Sequence, residues 1–110
     1  MIAVIFEAVL SDDKKEEYLE IASEIREKIE LIDGFISVER FQSLSNPGKL
    51  LSLSFFENED SVAKWRNLPA HRTAQSKGRA GIFHNYQLRV AHVVRNYGKE
   101  DRDQAPDDLK

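Results

Sequence analysis

Residues 2–10 read IAVIFEAVL, and this stretch decides the architecture. Its β-branched and aromatic residues favour an extended chain. In a strand, Ile2, Val4, Phe6, Ala8 and Leu10 share one face. Ala3, Ile5 and Val9 share the other, and only Glu7 interrupts it. A strand that is apolar on both faces needs cover on both. Either the rest of the chain supplies that cover or a second chain does.

The next elements follow from spacing. Ser11, Asp12 and Asp13 have N-cap chemistry, with Glu16 behind them in capping-box style. Tyr18, Ala22, Ile25, Ile29 and Ile32 recur at helical spacing, Ile21 widens the stripe, and Glu16, Glu17, Glu20, Glu24 and Glu27 fill the opposite side. This predicts one amphipathic helix, closed by Gly34 as C-cap. Phe35 to Ser43 reads as a strand in which Ile36, Val38 and Arg40 alternate against Ser37, Glu39 and Phe41. The turn Ser45-Asn46-Pro47-Gly48 joins it to a strand from Leu50 to Phe56, with Leu51, Leu53 and Phe55 on one face.

Glu59-Asp60-Ser61 opens a second helix carrying Val62 and Trp65. Pro69 imposes a kink or a restart, for which Asn67 is a cap candidate. Beyond it Ala70, Ala74 and Gly78 make a small-residue stripe beside the polar stripe His71, Gln75 and Arg79, and Gly81 ends the segment. Residues 84–97, HNYQLRVAHVVRNY, predict the longest strand, with Tyr86, Leu88, Val90, His92 and Val94 on one face. The domain spans 1–98, and residues 99–110 form a charged tail, mobile or wrapped on a partner.

The order β-α-β-β-α-β specifies an α+β, ferredoxin-like domain: a four-stranded antiparallel sheet with both helices on one face. The second sheet face then stays uncovered although the first and third strands are apolar on both sides. A second copy is the expected cover, so the chain is read as a homodimer.

Composition narrows the class of function. The chain has 110 residues, 41% hydrophobic and 32% charged, with net charge −3 and no cysteine. This excludes disulfide staples, thiolate metal sites and thiol catalysis, and it disfavours a nucleic-acid partner. No apolar run approaches membrane-spanning length, and no basic stretch precedes the first apolar segment. A cytoplasmic protein without a membrane partner is the expectation. The charge is segregated: residues 1–60 hold 14 acidic and 6 basic side chains, whereas residues 61–99 hold 8 basic side chains, all three histidines and no acid. Such a basic segment either pairs with the acidic helix or steers a small anion. Histidine spacing fits no standard zinc pattern, and no glycine-rich phosphate loop exists, so no metal is expected.

The run VAKWRNLPAHRTAQSKGR at 62–79, the strand YQLRVAHVVRNYG at 86–98, the opening MIAVIFEAVL and the segment LIDGFISVERF together resemble the antibiotic biosynthesis monooxygenase family. The resemblance covers about residues 1–98. It implies a dimeric α+β barrel with a pocket between sheet and helices. Its members include cofactor-independent oxygenases of aromatic polyketides, quinol monooxygenases and haem-degrading oxygenases. The haem-degrading branch uses a first-strand Asn, a Trp and a His, which fall here on Ala8, Trp65 and Gln75. Only the Trp matches, so haem is the second reading and no cofactor is the first.

For the cofactor-independent chemistry the substrate is a flat aromatic or quinol-like molecule. Trp65 and His71 are the catalytic candidates, as stacking wall and as base or hydrogen-bond donor, an imidazole titrating near neutrality. Phe6, Arg72, Gln75, Phe83, Tyr86 and His92 are the candidate substrate-binding residues. His84 reads as a surface residue, and Arg89 and Arg95 as partners for Glu7 or Glu39. A third reading, from another class, is a non-catalytic dimeric binding or stress-related module whose pocket is filled by Phe6, Phe83 and Tyr86.

Overall fold

In the computed structural model the strand Ile2–Leu10 (β1) is an inner strand of a four-stranded sheet, with both hydrogen-bonding edges paired. The elements that follow are α1 (Lys15–Ile29), β2 (Phe35–Gln42), β3 (Lys49–Phe56), α2 (Glu59–Arg66) and β4 (Phe83–His92). The structure describes residues 1–11, 13–69, 76 and 81–106. Strand order is β2-β3-β1-β4, with every neighbouring pair antiparallel. This is the ferredoxin-like α+β arrangement expected from the sequence.

Register sorts the side chains into two faces. One cross-strand row holds Phe35, Phe56, Ile2 and His92, the next Val38, Ser54, Val4 and Val90, the next Arg40, Ser52, Phe6 and Leu88, and the last Gln42, Leu50, Ala8 and Tyr86. This face meets the helices. Ile2, Val4 and Phe56 are fully buried there against Ile29, Val62 and Trp65. Burying each such side chain contributes about 1.5–3 kcal/mol. A second apolar group joins Tyr18 and Ala22 of α1 to Ile82, with Leu10, Leu50 and Phe83 alongside. The other sheet face carries Ala3, Ile5, Val9, Leu51, Leu53 and Phe55, with Glu7 among them.

Several boundaries differ from the sequence reading, each for a local reason. At the start of helix α1 the N-cap position is Lys14, which makes no side-chain cap hydrogen bond; Asp13 adopts φ 65°, the Ser11 hydroxyl donates to the Gly81 carbonyl, and Asp12 lies outside the described residues. The helix ends at Ile29, and tight turns through Ile32 precede Gly34, which therefore is not its C-cap. In the β2–β3 pairing Phe35 faces Phe56 and Ser37 faces Phe55, so Ile36 is an extra, bulged residue. Phe35 takes the place beside Val38 that the alternation gave to Ile36, and Ile36 is left exposed. The cap of α2 is Asn58, whose Oδ1 accepts from the Ser61 amide at 2.9 Å. Asn67 closes that helix as its C-cap, its Nδ2 donating to the Ala63 carbonyl.

Strand β4 ends at His92, five residues before the expected end. Its neighbour β1 begins at Ile2, directly opposite His92, and one further bond joins the two, from the Val93 amide to the Met1 carbonyl. Past that point the chain is organised by its own contacts. Gly98 donates to the Asp101 carbonyl, Arg102 stacks 5.6 Å from the Tyr97 ring centre, and Ala105 is buried.

Candidate active site

The register brings three of the expected site residues together. Phe6 points to the helix face from the centre of β1. Between Val9 and Leu10 the pairing with β4 slips, so that Val9 faces Asn85 and Leu10 faces Phe83, with His84 as the extra residue. The slip turns Phe83 to the same face as Tyr86. The rings of Phe6 and Phe83 then meet edge to face at 5.3 Å, Phe6 and Tyr86 lie 5.8 Å apart, and Phe83 and Tyr86 5.8 Å. Tyr18 of α1 closes the group 5.7 Å from Phe83. The result is an aromatic wall running from buried Tyr18 to half-exposed Tyr86, and Leu88 and Val90 extend it along β4. Aromatic contacts of this geometry add about 0.5–1.5 kcal/mol per pair beyond area burial.

Trp65 lies elsewhere on this face. Its ring packs 5.9 Å from Phe56, in the buried group with Ile2 and Val4. Ile2 and Phe6 are four residues apart on one strand, about 13 Å at the usual rise. Trp65 therefore belongs to the core at one end of the sheet and the aromatic wall to the other. His92 is largely exposed, with its Nε2 3.9 Å from the Glu59 carboxylate. His84 is exposed, as expected for a surface position. His71, Arg72 and Gln75 lie outside the described residues.

The expected partner of Arg89 is found. Glu7 Oε2 lies 3.3 Å from Arg89 and 3.6 Å from Lys49, on the sheet face away from the helices. Glu7, Ala8, Val9, Lys49, Asn85, Tyr86 and Gln87 border a shallow depression of about 160 Å³. Among the described residues no group of three His, Asp or Glu side chains is placed to hold a metal ion. No described helix is long and apolar enough to cross a membrane.

Two site-side residues escaped the sequence reading. Tyr18 was legible only as a helix-stripe residue. Arg40 occupies the helix face of β2 between Val38 and Gln42, and its Nε is buried without a hydrogen-bond partner. A charge alternating with apolar residues was the available signal.

The fold and the wall on its helix side invite comparison with known proteins. The antibiotic biosynthesis monooxygenase profile matches residues 1–77. The chain belongs to the antibiotic biosynthesis monooxygenase family. It is 46% identical over 94 residues to a protein named jasmonate monooxygenase ABM from Pyricularia oryzae. That alignment takes in 86% of this chain and 44% of the relative, so the chain spans less than half of that relative's length. It is also 31% identical over 93 residues to the uncharacterized protein YqjZ of Bacillus subtilis, covering 84% of this chain and 79% of YqjZ. Among solved structures, a Deinococcus radiodurans protein assigned to the same monooxygenases superposes with TM-score 0.79 at 14% identity, covering 89% of this chain and 97% of that one. Rv0793 from Mycobacterium tuberculosis superposes with TM-score 0.78 at 13% identity, over 88% and 98% of the two chains. At such identities these two structures speak for the fold alone.

Proposed function

We propose that the chain is a cofactor-independent monooxygenase of a small, largely apolar molecule bearing a phenol, quinol or enolisable carbonyl. The observation that carries this reading is the aromatic wall of Phe6, Phe83 and Tyr86 on the helix side of the sheet, in a chain of this family. The wall suits a flat ring, which can stack on its aromatic faces. In such chemistry the substrate is the reductant. A deprotonated carbon acid gives electrons to dioxygen; its CH₂ becomes C=O, one oxygen atom enters the product, and the other leaves as water with the two hydrogens. The protein's tasks are to hold the ring, favour the anion and accept the first proton. His71 is the proposed base, and Trp65 is proposed to act from the core by supporting the α2 side of the site.

The relative named jasmonate monooxygenase adds a substrate to try, since a jasmonate carries an enolisable cyclopentanone. We also place the working unit as a homodimer. Supporting this, Ile5, Leu51, Leu53 and Phe55 are only partly buried on the sheet face away from the helices. The test is oxygen uptake by the metal-free, haem-free protein with anthrone, a naphthoquinol and jasmonic acid. Catalysed uptake that persists with chelator present supports the reading. No uptake above the uncatalysed rate with any of the three counts against it.

A second reading has its own observation. Phe6, Phe83, Tyr86 and Tyr18 already pack on one another, as the wall of a binding module without chemistry would. Saturable binding of these compounds without oxygen uptake would favour that module. A Soret titration with hemin separates both from a haem protein.

A further inference from the structure

Among the described residues, Arg40 is the one helix-face residue of the sheet whose charge is drawn inward without an acidic partner. It stands on β2, in the row that continues through Ser52 of β3 to Phe6 of β1. Its side chain is partly buried under α1, and one terminal nitrogen donates to the Ala22 carbonyl at a long 3.4 Å. Its Nε is buried and has no hydrogen-bond partner. Among the described residues no carboxylate lies within ion-pair distance of it, although α1 above carries five glutamates on its outer side. A guanidinium with a buried, unused donor is costly to keep unless something accepts from it. Its planar fork matches the two oxygens of a carboxylate. Ser52 and Ser54, whose hydroxyls share this face on the neighbouring strand, add donors of the right kind.

We propose that Arg40 is a specificity-determining residue that receives the carboxylate of an acidic substrate whose apolar body lies on the Phe6–Phe83–Tyr86 wall. The register sets the length of that molecule. Arg40 and Phe6 are two strands apart in one row, about 10 Å between backbones. The substrate is thus an organic acid with a ring at one end and a carboxylate a few bonds from it, and a neutral polycycle lacks the group this face is built to hold. The inference rests on the monooxygenase reading only for the word substrate; the binding claim stands without it.

The experiment uses the whole chain and three acids: jasmonic acid, 3-phenylpropionic acid and 4-hydroxyphenylacetic acid, each with its methyl ester. The arginine Nε–Hε resonances of ¹⁵N-labelled protein are followed during titration, Arg40 being assigned from Arg40→Lys. Dissociation constants come from calorimetry. At least one acid is expected to shift the Arg40 resonance saturably and to bind tenfold or more tighter than its ester. Arg40→Gln is expected to bring the acid down to the ester's affinity and leave the ester unchanged, while Arg40→Lys keeps part of the preference. The wild-type resonance needs no variant to fold beyond its assignment. If no acid shifts it, or if esters bind as well as acids, the inference falls. Arg40-dependent binding without oxygen uptake sustains it, and the monooxygenase reading is then decided by the anthrone and naphthoquinol assays. Oxygen uptake with the same KM for acid and ester overturns it and leaves the monooxygenase reading standing.

Discussion

Gly34 and Ser61 meet where the turn into β2 passes the start of α2: a Cβ added at Gly34 would overlap the Ser61 hydroxyl. The contact is tight because Ser61 is buried and its Oγ donates to the Asp33 carbonyl at 2.8 Å, tying the turn to the helix cap. Gly34 also holds φ at +92°, a region that side chains disfavour. Gly34→Ala is expected to cost about 2–4 kcal/mol, strain and overlap acting together. In a Ser61→Ala background part of that cost is relieved, so the two changes are non-additive. Urea denaturation of the four proteins in the cycle measures it.

Asn58 caps α2 through the Ser61 amide, whereas Lys14 at the N-cap position of α1 makes no such side-chain bond. Asn58→Ala is expected to lower stability by about 1 kcal/mol and Asn58→Asp to restore it. Matching losses from both substitutions in thermal or chemical denaturation would contradict the cap's role.

Trp65 and Phe56 share the buried group under α2. Phe56→Ala and Trp65→Ala are each expected to cost about 3–5 kcal/mol, and Trp65→Phe about 1–2 kcal/mol. If Trp65 acts only by support, Trp65→Phe leaves substrate turnover within severalfold of wild type at a temperature where both are folded. The comparison is steady-state oxygen uptake beside denaturation midpoints.

Glu7 holds Arg89 and Lys49 together on the sheet face away from the helices, and all three side chains are about a third to a half exposed. Exposed pairs of this kind contribute at most about 1 kcal/mol each and weaken in salt. Glu7→Gln is expected to lose up to about 1 kcal/mol at low ionic strength and to match wild type in molar sodium chloride. A salt series of unfolding curves checks it.

The same face carries Ile5 and Leu53 side by side on paired strands. Ile5→Lys and Leu53→Lys are expected to halve the solution mass seen by sedimentation velocity while far-ultraviolet dichroism stays native. A wild-type chain sedimenting as a monomer at micromolar concentration would remove the homodimer.

Much of this fold is legible in the amino-acid sequence. Period-2 and helical spacing place the six described elements, because each buries one face or stripe and the pattern records which. The Glu7–Arg89 pair is legible as a charge complement on one sheet face. Boundaries are harder. Ile36 and Phe35 exchange places because a bulge inserts one residue, and nothing in the alternation of FISVERF announces it. The end of β4 at His92 is set by where β1 begins, a fact about a partner strand some ninety residues earlier in the chain.

The site divides the same way. Local sequence determined that Phe6, Phe83 and Tyr86 are aromatic and strand-borne, since those properties depend on residue type and immediate spacing. Tertiary structure alone decided that they meet each other and Tyr18, that Trp65 sits with Phe56 at the far end, and that Arg40 turns its buried Nε toward the helix side. The reason is register: pairing between strands distant in sequence chooses which side chains become neighbours, and a one-residue slip at Val9 and Leu10 was enough to bring Phe83 onto the wall.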